Sequence, residues 1–117
     1  HLAGARAHGG LVVVDPRRSA TAALTGDGQG RHLQPVPGTD LALALGVLHL
    51  LDAQGAVDEE YVARRTTGFE EVRRSVAAWW PERVERTSGV ATDELRALVD
   101  LLAGNEKVVV LSARGAR

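Results

Sequence analysis

The chain has no cysteine and no methionine, and its 117 residues include one phenylalanine, one tyrosine and two tryptophans. Without cysteine it forms no disulfide, offers no thiolate to zinc and cannot ligate an iron–sulfur cluster. With so few aromatic rings, the interior has to be filled by alanine, leucine and valine. Lysine and arginine total 14 against 15 acidic side chains, a formal net charge of −1. No long run of either sign interrupts the mixture, so neither a nucleic-acid surface nor a membrane surface is expected. The longest apolar stretch, Leu41 to Leu51, is broken by His49 and is too short to span a bilayer. No signal segment is legible at the N-terminus, and a cytoplasmic location is expected. A chain that begins at His1 and lacks methionine reads as an excised or processed piece. The four histidines, at positions 1, 8, 32 and 49, show no metal-ligand spacing among themselves or with carboxylates, and read as surface or helix-packing residues. No G-x-G-x-x-G follows the first strand; the P-loop lysine motif and the G-x-S-x-G elbow are absent too.

What is present is ordinary for one globular domain: 44% hydrophobic and 25% charged residues. Leu11 to Val14 is a short apolar, β-branched run that reads as a strand buried on both faces in a parallel sheet. Before it, His1 to His8 reads as the tail of a helix, with Gly9-Gly10 as the turn. A Gly/polar stretch from Thr25 to Gly30 reads as a surface loop and the region from His32 to Pro35 as extended. A helix follows from about Thr39 to Gln54, apolar nearly all round and stopped by Gly55. Asp58 is expected to cap a short helix, and Thr67 with Glu70 to form a capping box. The next stripe is Phe69, Val72, Val76 and Trp79. Pro81 opens a further short helix, and Thr92 caps the last, whose buried stripe is Leu95, Leu98, Val99 and Leu102, with Gly104 at its end. Lys107 to Ser112 reads as a final strand. The expected architecture is α/β: a Rossmann-like layered fold with a short parallel sheet and a long helical crossover, in one segment spanning residues 1–117 without internal repeat or linker.

Two carboxylates stand at informative places. Asp15, followed by Pro16, ends the first strand. In open α/β sheets ligands collect beyond the carboxyl ends of strands, where an acidic residue accepts hydrogen bonds from a ribose. Asp15 could equally close a turn or pair with Arg17. Pro37-Gly38-Thr39-Asp40 opens the long helix, and there Thr39 as a cap and Asp40 as a dipole partner explain both residues without any ligand. Trp79-Trp80 could stack on a base or anchor packing. Glu59-Glu60 and Glu70-Glu71 read as dipole partners on helical first turns.

Taken in order, these stretches resemble the molybdopterin oxidoreductases that bind molybdopterin guanine dinucleotide. The similarity runs through the strand with Asp15-Pro16-Arg17-Arg18, then Ser19-Ala20-Thr21-Ala22, then His32-Leu33-Gln34-Pro35 into Pro37-Gly38-Thr39-Asp40-Leu41-Ala42. It continues through Gly55 to Val62, Thr66-Thr67-Gly68-Phe69-Glu70-Glu71 and Pro81 to Val90. Thr66 to Phe69 and the closing Leu111 to Ala116 are most similar to bacterial assimilatory nitrate reductases, with formate dehydrogenases next. Ser19 stands where the family more often has threonine, and the loop from Thr25 to Gly30 is longer than usual.

The resemblance implies that Asp40 bonds the donor edge of guanine, with Thr39 beside it, while Asp15 and Arg17 hold the nucleoside end of the cofactor. An ionised carboxylate offers two coplanar acceptors to the guanine N1–H and exocyclic amine, a donor pair that adenine lacks. It also implies that the molybdenum ligand and the cluster cysteines belong to sequence outside this chain, so that the partner is the remainder of a larger enzyme. The alternative from another class is a free-standing nucleotide-binding or interaction module without redox activity. On either reading the purified chain should be inactive as a nitrate reductase or formate dehydrogenase and contain no stoichiometric molybdenum or iron. Elemental analysis that found either metal at one per chain would contradict this.

Overall fold

The computed structural model describes residues 10–25 and 30–112. Its elements are β1 (Leu11–Val14), α1 (Ala20–Ala23), β2 (Gly30–Leu33), α2 (Asp40–Ala53), α3 (Glu59–Arg65), α4 (Phe69–Val76), α5 (Pro81–Ser88) and α6 (Thr92–Ala103). The fold is α/β: a two-stranded parallel sheet, with Leu11 opposite Gly30 and Val14 opposite Leu33, beside a helical layer.

Sheet and helices share one core. Val12 and Leu33 lie on the same face of the sheet by register, and both join the apolar cluster of Leu43 and Leu50 from α2, Val84 from α5, Val90, and Leu95, Leu98 and Val99 from α6. Helix α2 is the centre of this layer, packed against α4, α5 and α6. At Gly46 a Cβ would lie 2.5 Å from Val84 Cγ2, so glycine there lets α2 and α5 pack this tightly.

Local chemistry accounts for most of the boundaries. Ser19 Oγ accepts from the Ala22 N–H and starts α1. Asp58 Oδ1 accepts from the Tyr61 N–H at 2.9 Å and caps α3, as its sequence position indicates. Pro81 occupies the first turn of α5, and Gly104 closes α6. Arg73 on α4 ties three segments together, bonding Asp52 at the end of α2, Glu59 on α3 and Glu70 on its own helix. Burial opposes its charge, but the bonds to Asp52 and Glu59 outweigh that and raise its pKa above the usual value.

Several expectations are corrected. Thr67 does not cap α4: Gly68, at φ +82°, takes the N-cap position, and no side-chain bond forms there. Thr92 is already helical, with Ala91 at the N-cap. Thr39 sits at the N-cap of α2 without capping, because its hydroxyl donates back to the Val36 carbonyl. Thr25 is buried, bonded to the Ala22 carbonyl, and Gly30 belongs to β2, so neither end of the stretch expected as a surface loop is one; residues 26–29 lie outside the described residues. The expected helix from His1 to His8 and residues 113–117 lie outside them as well. Lys107 to Ser112 forms no strand: a strand exists only with a ladder partner, and this segment has none among the described residues. Val109, Val110 and Leu111 are left 80–83% exposed.

Two outcomes follow from this packing. Gly46→Ala gains about 1 kcal/mol of helix propensity but forces a methyl into Val84, and overpacking costs about 1–3 kcal/mol. The net effect should be a lower urea midpoint; an unchanged or higher midpoint would refute the close approach. The uncovered run from Val108 to Leu111 and the open sheet edges should make the isolated chain self-associate at tens of micromolar. Sedimentation showing only monomer would refute that.

Candidate functional site

The parallel pairing of β1 and β2 sends both of the following segments off the same edge of the sheet. One is Asp15 to Arg18, leading into α1. The other is Gln34 to Thr39, leading into α2. All four residues singled out in the sequence, Asp15, Arg17, Thr39 and Asp40, belong to these two segments or to the first residue of the helix that follows.

In the first segment Asp15 continues the ladder for one more bond, its N–H donating to the Leu33 carbonyl at 3.0 Å. Its Oδ1 accepts from the Arg17 N–H at 2.8 Å, the local turn that aspartate favours beside proline. Oδ1 thus closes the turn, while Oδ2 has no bond to a described residue. Arg17 and Arg18 follow on the same segment, and both are exposed.

The second segment is fixed at its middle: the Val36 N–H donates to the Ser88 carbonyl at 2.8 Å, anchoring it to the end of α5. Thr39 closes a turn onto Val36 through both its N–H and its hydroxyl, with Gly38 at φ +84° supplying the left-handed residue between them. Asp40 then stands half-buried on the first turn of α2, and its carboxylate has no hydrogen-bond partner among the described residues. Two coplanar acceptors at the positive end of a helix are thus available to a donor pair.

The two segments are also joined by side chains that sequence reading assigned no such part. A histidine nitrogen facing a carbonyl must carry the hydrogen, so His32 Nε2–H donates to the Asp15 carbonyl at 2.9 Å. Gln34 Nε2 donates to the Pro16 carbonyl at 3.3 Å. The signal that could have found His32 is the prolines: Pro16 and Pro35 remove two backbone donors just where the strands end.

Other candidates resolve as structural. His49 Nδ1 donates to the Val76 carbonyl, joining α2 to the end of α4. Trp79 packs on the apolar cluster with the Arg83 guanidinium 4.1 Å from its ring centroid, and Trp80 shares that cation at 5.9 Å. Glu59 and Glu70 serve Arg73. Among the described residues no group of three His, Cys, Asp or Glu side chains could hold a metal ion, and no helix is long and apolar enough to cross a membrane. An open hollow of about 430 Å3 between α3 and α4, lined by Val62, Thr66, Phe69, Glu71 and Arg74 among others, includes none of the four sequence-selected residues.

No family model matches the chain. Over 116 residues it is 31% identical to formate dehydrogenase H of Escherichia coli, a match covering 98% of this chain and 16% of that protein. Over 103 residues it is 31% identical to a nitrate reductase of a Synechocystis species, covering 88% of this chain and 14% of the relative. Among solved structures, acetylene hydratase from Pelobacter acetylenicus superposes with a TM-score of 0.68 at 30% identity, over 76% of this chain and 12% of the other. The chain spans between 12% and 16% of the length of these three proteins.

Proposed function

This chain belongs to the molybdopterin oxidoreductases as a short segment of one, and we propose that its two loops beyond β1 and β2 bind the guanine nucleotide end of molybdopterin guanine dinucleotide. The observation that carries the reading is Asp40: a half-buried carboxylate on a helix first turn, without a partner among the described residues, on the segment that leaves the same sheet edge as Asp15. Those residues fit the group. Asp40 supplies acceptors for the guanine N1–H and amine, Thr39 shapes the turn that presents it, Asp15 offers a carboxylate oxygen to a ribose hydroxyl, and Arg17 offers an exposed cation on the same segment. When bound, the cofactor supplies the molybdenum centre at which electrons are exchanged with substrate. This chain's own residues bind and orient its nucleotide end.

The parent enzyme on this reading is a cytoplasmic nitrate reductase, supported by the similarity of Thr66 to Phe69 and of the closing segment to that subfamily. Formate dehydrogenase is the second reading, favoured by the match over 98% of this chain. The rest of the parent enzyme is the chain's physical partner, and the substrate is chosen by residues outside this segment.

Asp40→Asn in the full-length enzyme tests the assignment. The change keeps the size of the side chain but sets an amine against the guanine donors, and the lost charge-assisted bond should cost about 2–3 kcal/mol. That is about a thirtyfold to hundredfold weaker retention of the cofactor. Asp15→Asn should do less, since a ribose hydroxyl can turn its bond around and donate to the amide oxygen. Wild-type cofactor content in a folded Asp40→Asn enzyme would leave Asp40 as a helix-dipole charge only.

A further inference from the structure

A parallel ladder has a fixed alternation: a residue donates its N–H to one strand neighbour and accepts at its C=O from the residue two positions further along that neighbour. Asp15 donates to the Leu33 carbonyl. Its own carbonyl would therefore accept from the N–H of residue 35, and residue 35 is a proline, which has none. His32 fills that place. Its Nε2–H reaches the Asp15 carbonyl at 2.9 Å, and Gln34 Nε2 then reaches the following carbonyl, Pro16, at 3.3 Å. Two side chains thus extend the sheet beyond the point where proline stops the backbone ladder. Both belong to the segment that runs on to Thr39 and Asp40.

From this we propose that His32 and Gln34 are positioning residues for nucleotide retention, locking the Asp15 loop to the Asp40 loop so that both carboxylates address one ligand. The proposal rests on the functional reading above. Neither side chain belongs to the apolar cluster that holds the helices to the sheet. Their loss should therefore let the Asp15 to Arg18 loop move while the fold stays intact. Free movement of one loop raises the ordering cost of binding, which falls on the bound state and not on the folded protein.

The experiment uses the full-length enzyme and reads two quantities: guanine nucleotide released per protein by mild acid, and the rate at which the cofactor is lost on dilution. His32→Leu and His32→Asn remove the reach to the Asp15 carbonyl, the first by chemistry and the second by length. His32→Gln restores an N–H donor at nearly the Nε2 distance. The Leu and Asn variants should fold with wild-type secondary structure and lose cofactor about fivefold faster, the worth of one neutral hydrogen bond. The Gln variant should retain it within about twofold of wild type on the same scale. Gln34→Leu should fall between the two. Wild-type retention in both His32→Leu and His32→Asn, failure of both to fold, or a Gln variant as poor as the Leu variant would overturn the proposal. Asp40→Asn in the same series separates the two levels: if it also keeps its cofactor the nucleotide reading itself fails, and if it alone loses cofactor only the positioning role fails.

Discussion

Four paired residues in each of two strands decide where everything else can be. Because β1 and β2 run parallel, their carboxyl ends point the same way, and the loops that leave them must start from one edge. An antiparallel pair would have put Asp15 and the approach to Asp40 at opposite ends of the sheet. The ladder is short, so it is held from outside: Val12 and Leu33 sink into the helical cluster on one face, while Asp15, His32 and Gln34 carry hydrogen bonds past the last backbone pair. A sheet of this size is not stable alone, and the helices make it so.

Helix α2 connects that edge to the core. Its first residue is Asp40, its middle carries Gly46 against Val84, and its last turn carries Asp52 bonded to Arg73. One element therefore begins in the candidate site and ends in an ion-pair junction between α2, α3 and α4. The second loop is pinned independently through the Val36 bond to Ser88, whose own hydroxyl is buried and bonded to Val84 and Val90. Asp40 thus opens a helix at the end of a loop with a fixed start and a fixed middle, which limits the entropy lost when a ligand binds.

Much of this was legible in the residues. The strand from Leu11 to Val14, the Asp58 cap, Pro81 at a helix start and the stripe Leu95, Leu98 and Val99 are each fixed by chemistry within a few positions and stand where the sequence puts them, but the strand is only half-buried, with Val14 exposed, and not buried on both faces. The misses come from competitors that a cap pattern or a composition does not weigh, two of them local and two distant in the chain. Thr39 has a backbone acceptor in Val36 that a cap pattern ignores, and Gly68 displaces Thr67 by adopting a left-handed conformation that threonine avoids. Lys107 to Ser112 has strand composition, but pairing depends on a neighbour the local sequence does not contain. Its spacing marks His32 as no more than a surface or packing residue, because its partner lies 17 positions away. The four candidate residues, Asp15, Arg17, Thr39 and Asp40, are singled out by position and resemblance, and they stand on the two segments that leave one sheet edge or on the first residue of the helix that follows.

The most direct measurement is a structure of the full-length enzyme with its cofactor bound. The account predicts both Asp40 carboxylate oxygens within about 3 Å of the guanine N1 and exocyclic amine nitrogens. It also predicts a ribose hydroxyl against Oδ2 of Asp15, with the His32 bond to the Asp15 carbonyl retained. A guanine seated away from Asp40, or an Asp40 carboxylate satisfied by protein groups alone, would contradict it.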